Sequence, residues 1–85
     1  MISAKQIKAA RVFLEWEQRD LAAQSGLSLP TIQRMEKFGV ERSSAANAEK
    51  VRTALEAAGV EFIPENGGGA GVRLRKAGRT SDEEG

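Results

Sequence analysis

The chain contains neither cysteine nor histidine. Their absence removes disulfides, thiol nucleophiles, zinc-finger ligands and imidazole bases together. Folding therefore needs no oxidising compartment. No apolar run approaches the length of a membrane span, and no signal-peptide pattern opens the chain. A cytoplasmic location without membrane association is the expectation. Nowhere do a nucleophile, a base and an orienting group come together, so catalytic activity, a metal and a cofactor are not expected. A strong charge of one sign is also missing, because the net charge is only +1. That charge is unevenly placed. Thr80-Ser81-Asp82-Glu83-Glu84-Gly85 carries three acids and no base, whereas Arg34, Lys37 and Arg42 cluster mid-chain. Salt-dependent phosphate binding needs a local basic face more than a high total. At 85 residues the chain allows one small domain, which buries a modest fraction of its surface. A very regular helical core or a partner subunit should make up the difference.

The most informative stretch runs from Gln18 to Gly39, QRDLAAQSGLSLPTIQRMEKFG. Gln18 to Gln24 is helix-prone, with Leu21 and Ala22 on one side. Gly26 sits where the chain must turn sharply, since glycine alone takes positive φ without a Cβ penalty. Ser28 can cap the next helix. Pro30 falls within that helix's first turn, where its missing N–H costs nothing. Ile32 and Met35 then face inward, while Leu29, Thr31, Gln33 and Arg34 are left on the outer side. A short helix, a glycine turn and a second helix with polar outward residues is the helix-turn-helix layout.

The run Gln18-x-x-Leu21-Ala22-x-x-Ser25-Gly26-Leu27-Ser28-x-x-Thr31-Ile32-x-x-Met35-Glu36 resembles the phage repressor/Cro-type (XRE) helix-turn-helix family. The motif covers about a quarter of the chain, and the family's helical domain would cover roughly Met1 to Ala58. Two departures stand out. Glu17 occupies the position of a usual Ser or Thr cap, and Phe38 displaces the usual glycine after the third helix to Gly39. The resemblance implies that Gln18 touches the DNA backbone, and that Lys37 and Arg42 lie beside the backbone or the minor groove. It also implies that Arg11 in the first helix pairs with Glu36 at the end of the third.

The chemistry of the outer residues fits the same picture. Arginine bonds guanine O6 and N7 in two places at once, which makes Arg34 the leading base reader. Gln33 can bond adenine or a phosphate. Leu29 and Pro30 offer apolar surface to a thymine methyl, and Thr31 can use either its methyl or its hydroxyl. Ser28 can both cap the helix and donate to phosphate, while Arg19 offsets the Glu17 carboxylate at the phosphate-facing end of the second helix. The competing reading of each residue is an ordinary solvated helix face.

Around this motif, Ser3-x-x-Gln6 reads as a capping box opening the first helix. Ile7, Ala10, Arg11 and Leu14 fall at i, i+3, i+4 and i+7 on one face. Arg11 there either snorkels to water or meets Glu36. Phe13 and Trp16 close the first helix, and Trp16 reads as core or as a lid over the second helix ahead of a base-stacking role. Residues 37–43 read as a loop, with Phe38 packed beneath it or exposed in a dimer contact. Ser44 caps a fourth helix, Ala48, Val51, Leu55 and Ala58 form its apolar stripe, and Gly59 ends it. Lys50 and Arg52 read as solvated charges.

The pattern then changes to strands. Val60-Glu61-Phe62-Ile63 is β-branched or aromatic, and Val72-Arg73-Leu74-Arg75 alternates apolar with basic. A glycine-rich turn region separates them. It has no Lys-Ser/Thr ending and opens no helix, so it is not a nucleotide cradle. A lone two-stranded hairpin is marginal in water. It should pack on the helices or pair with a second subunit through its edge.

The expected fold is therefore mainly α: a four-helix repressor-like helix-turn-helix domain (1–59), then a short C-terminal β-hairpin (60–76) and a disordered tail (77–85). Val60, Phe62, Val72 and Leu74 are the expected dimerisation residues. The expected function is sequence-specific transcriptional regulation, most simply repression. A homodimer would bind an inverted repeat in double-stranded DNA, with helix 3 (29–37) in the major groove. The alternative is a protein-interaction module, such as an antitoxin or anti-activator, whose DNA binding is secondary to a protein partner.

Overall fold

The computed structural model describes residues 2–64 and 67–75. Four helices are followed by a two-stranded antiparallel hairpin. The first helix, α1 (Ala4–Phe13), opens with the capping box: Gln6 N–H donates to Ser3 Oγ, and Ser3 N–H to Gln6 Oε1. It closes without a glycine. Trp16 N–H reaches back to the Arg11 carbonyl and Glu15 N–H to that of Val12, with Glu15 at φ 59°. This is a Schellman closure with glutamate in the left-handed position. Trp16 consequently lies outside the helix, half-buried against the core.

Helix α2 (Gln18–Ser25) ends at Gly26, whose φ of 78° turns the chain. Helix α3 (Leu29–Phe38) is capped by Ser28, which accepts from Thr31 N–H, and carries Pro30 in its first turn. It runs one residue beyond the expected end, because Gly39 at φ 106° supplies the break that Phe38 cannot. The expected loop after α3 is partly ordered as a 3-10 turn (Val40–Arg42), which drives Val40 into the core. Helix α4 (Ala45–Ala57) is capped by Ser44 and buries Ala48, Val51 and Leu55.

Strands β1 (Val60–Ile63) and β2 (Gly71–Leu74) pair Val60 with Leu74 and Phe62 with Val72 on one face. Glu61 faces Arg73 on the other, with Arg73 Nε donating to Glu61 Oε1 at 3.0 Å. That guanidinium holds the Glu61 carboxyl below its ordinary range. The second strand begins one residue earlier than expected, and Arg75 N–H extends the ladder to the Gly59 carbonyl at 2.7 Å.

The core is continuous through helices and hairpin. Ile7, Ala10, Leu21, Ile32, Met35, Val40, Val51, Leu55 and Val60 are all buried, with Phe62 and Val72 packed against them. This corrects one expectation. Val60 has 0% exposure, so it faces its own helices and is not available to a second subunit. Phe62 and Val72 turn the same way, and of the four expected dimerisation residues only Leu74 is exposed. The physical reason is that β2 packs on α1 and β1 on α4, so the hairpin's apolar face is already covered. Arg52 is likewise more than a solvated charge. It donates to Glu56 at 2.9 Å and lies over the Phe62 ring, 5.9 Å from its centre. The expected tail, 77–85, lies outside the described residues. No helix among the described residues is long and apolar enough to cross a membrane.

Candidate nucleic-acid interface

The apolar spacing of α3 decides which of its residues face outward. Ile32, Met35 and Glu36 recur at i, i+3 and i+4 and are buried. Pro30, Gln33, Arg34 and Lys37 recur at i, i+3, i+4 and i+7 on the opposite side and are exposed. Leu29 flanks this stripe with its side chain partly exposed. Five outward residues of mixed apolar, amide and cationic character thus share the outer surface of one helix.

The base of that helix is held by a buried carboxylate. Glu36 has a side chain only 2% exposed, and Arg11 grips it with two parallel bonds. Arg11 Nε donates to Glu36 Oε2 at 2.9 Å and Nη2 to Oε1 at 3.0 Å. Arg11 Nη1 also donates to the Trp16 carbonyl at 2.9 Å. A bidentate guanidinium–carboxylate pair fixes orientation as well as distance. Gln18 completes the arrangement, its Nε2 donating to Glu36 Oε1 at 3.1 Å. One carboxylate therefore ties the end of α1, the start of α2 and the last turn of α3. Gln18, expected to serve a DNA backbone phosphate, thus spends one of its two amide N–H groups within the protein.

Ser28 and Thr31 are also engaged locally. Their hydroxyls lie 2.8 Å apart, beside the capping bond from Thr31 N–H. Arg19 bonds Glu17, its Nη2 2.7 Å from Oε1, with both side chains well exposed. The Glu17 carboxylate raises the Arg19 guanidinium above its already high ordinary value, chiefly by this hydrogen bond. Part of Arg19's attraction for an external anion is thereby offset. Asp20 Oδ2 accepts from Glu17 N–H at 2.7 Å, the reciprocal half of a capping box at the helix start that lacks a Ser or Thr.

The remaining cations are differently placed. Among the described residues the ion pairs are Arg11–Glu36, Arg19–Glu17, Arg52–Glu56 and Arg73–Glu61. Arg34, Lys37 and Arg42 are in none of them. Arg34 and Arg42 line a small cleft of about 60 Å³, with Thr31 and Asn47 beside them. Helix α3 and the turn after it thus converge on one spot, which Asn47 reaches from α4. Asn47 was not singled out from the sequence, because it lies in the first turn of a helix assigned to the core. Lys37 stands over the Phe38 ring, 5.3 Å from its centre, and Phe38 itself is exposed. Gly39 allows the tight exit: a Cβ there would lie 2.8 Å from Glu41 Oε1. Among the described residues no cluster of acidic side chains is placed to hold a metal ion.

No family model matches the chain, and no curated protein matches it either.

Proposed function

We propose that the protein is a helix-turn-helix DNA-binding regulator of the repressor/Cro type. In this reading it acts as a homodimer that lays α3 in the major groove of an inverted repeat, and repression by occlusion of the promoter is the simplest consequence. The observation that carries the reading is the outer stripe of α3. Arg34 is exposed there without a carboxylate partner among the described residues, next to Gln33 and one turn after the apolar Leu29 and Pro30. Arginine at such a position has the geometry to bond guanine bidentately. Lys37 and Arg42 then serve the phosphates on either side, and the Arg11–Glu36–Gln18 arrangement holds α3 at a fixed angle to the rest. No catalytic role is part of this reading.

The test is selection of a preferred duplex from a random pool, then fluorescence anisotropy against that duplex and a scrambled one. Specific, salt-sensitive binding at two subunits per site is the expected result. Arg34→Ala should weaken the selected duplex by about 1–3 kcal/mol and the scrambled one far less. An equal loss on both would make Arg34 a phosphate contact.

One observation favours a second reading, a module that binds a protein partner. Val12, Phe13 and Phe38 are exposed apolar side chains outside the α3 stripe. Equal, weak binding to both duplexes would support it over the first.

A further inference from the structure

Beside the α3 stripe lies an open groove of about 500 Å³, walled by three helices. Lys8 and Arg11 come from α1, Gln18 from the start of α2, and Gln33, Glu36 and Lys37 from α3. Its charge can be counted directly. Arg11 and Glu36 neutralise one another through two hydrogen bonds, and Gln18 occupies Glu36 further. Lys8 and Lys37 have no carboxylate partner among the described residues, so the groove retains two positive charges. The only carboxylate lining it is spent. Two amides, Gln18 and Gln33, add polar hydrogen-bonding capacity, and Gln18 stands at the positive end of the α2 dipole.

We infer that this groove seats a phosphodiester of the DNA backbone, gripped by Lys8 together with Lys37. This extends the interface from the helix-turn-helix to α1, and it rests on the DNA-binding reading above. Lys8 lies one helical turn before Arg11, so the pair that anchors α3 also sets the distance between the two lysines. Phosphate suits the site because two ammonium groups without a carboxylate partner among the described residues set its charge, and a lysine–phosphate bond is indifferent to sequence. Lys8 therefore adds affinity without sequence preference.

The experiment is the salt dependence of duplex binding by the wild-type protein, Lys8→Gln and Lys5→Gln, on both the selected and the scrambled duplex. Lys5 lies on the same helix, is exposed, and does not line the groove. Lys8→Gln should lower the slope of log K against log salt by about 0.9, the share of one neutralised phosphate. The loss should be equal on both duplexes, and Lys5→Gln should leave the slope unchanged. An unchanged slope for Lys8→Gln would overturn the groove, as would an equal drop for Lys5→Gln, which would mean a diffuse charge effect. Absence of salt-dependent binding by the wild-type protein is a separate outcome, which removes the DNA-binding reading along with the groove. Thermal unfolding of each variant, expected to match the wild type, excludes a folding defect as the source of any change.

Discussion

At the residue scale, Glu36 bears more structure than any other charged side chain of the helical region. A carboxylate so enclosed is tolerable only because three donors from two side chains meet its oxygens. Removing its charge leaves the Arg11 guanidinium facing a neutral amide with most of its surface covered. Glu36→Gln should therefore destabilise the fold by about 3 kcal/mol, the lower end for breaking a buried pair, because Arg11 retains some access to water. Adding Arg11→Met removes the stranded cation and should restore part of the loss. A double-mutant cycle by urea unfolding should give a coupling of about 1–3 kcal/mol, and simple additivity would dismiss the coupling. Glu15 predicts the opposite sign. Its backbone sits at φ 59°, where a side chain costs roughly 1 kcal/mol or more relative to glycine. Glu15→Gly should raise the thermal midpoint despite deleting a surface charge, and an unchanged or lowered midpoint would mean that the glutamate is not strained there. The two positions also differ in legibility. Arg11 on an apolar face was an anomaly that pointed to a partner, and the family resemblance supplied Glu36. Glu15 carried no sign at all, since a left-handed helix end is recognisable mainly when glycine marks it.

At the element scale, the hairpin is joined to α1 by one buried amide. Gln6 Oε1 accepts from Ser3 N–H, while its Nε2 donates to the carbonyls of Gly71 at 2.9 Å and Ile63 at 3.4 Å. The same side chain thus closes the capping box and holds the two strand ends together. Gln6→Leu, close in size but without donors or acceptor, leaves two partly covered carbonyls and the Ser3 N–H without that partner. About 1–3 kcal/mol is the expected cost, and amide exchange at the β1–β2 ladder should accelerate more than exchange in α3. Uniform acceleration through the whole chain would show that Gln6 acts on the fold at large. The helix starts at Ser3, Ser28 and Ser44 and the turn at Gly26 were legible because each rests on local chemistry. The Gln6 tie was not, since its partners lie more than fifty residues away and are backbone carbonyls, which have no residue signature. The direction of Val60 was misjudged for a related reason. Strand alternation identifies an apolar face without saying whether that face meets the chain's own helices or another subunit.

At the scale of the whole molecule, the helices and the hairpin share one buried set that includes Val60. The division into residues 1–59 and 60–76 can be tested on that ground. Trp16 is the single tryptophan, and the chain has no tyrosine, so intrinsic fluorescence reports a site between α1 and α2, remote in sequence from the strands. Ending the chain at Gly59 deletes Val60, a fully buried side chain worth about 1.5–3 kcal/mol by burial alone, and uncovers the surfaces beneath Phe62 and Val72. Against a typical total of about 5–15 kcal/mol for a folded domain, that loss is large. The urea midpoint read at Trp16 should therefore fall steeply in the truncated chain, and the dependence on urea should flatten as less surface is exposed on unfolding. A Trp16 midpoint unmoved by the truncation would instead mean that the helices hold their core alone. The hairpin would then be an attachment, free to peel away and offer its apolar face to a second copy of the chain.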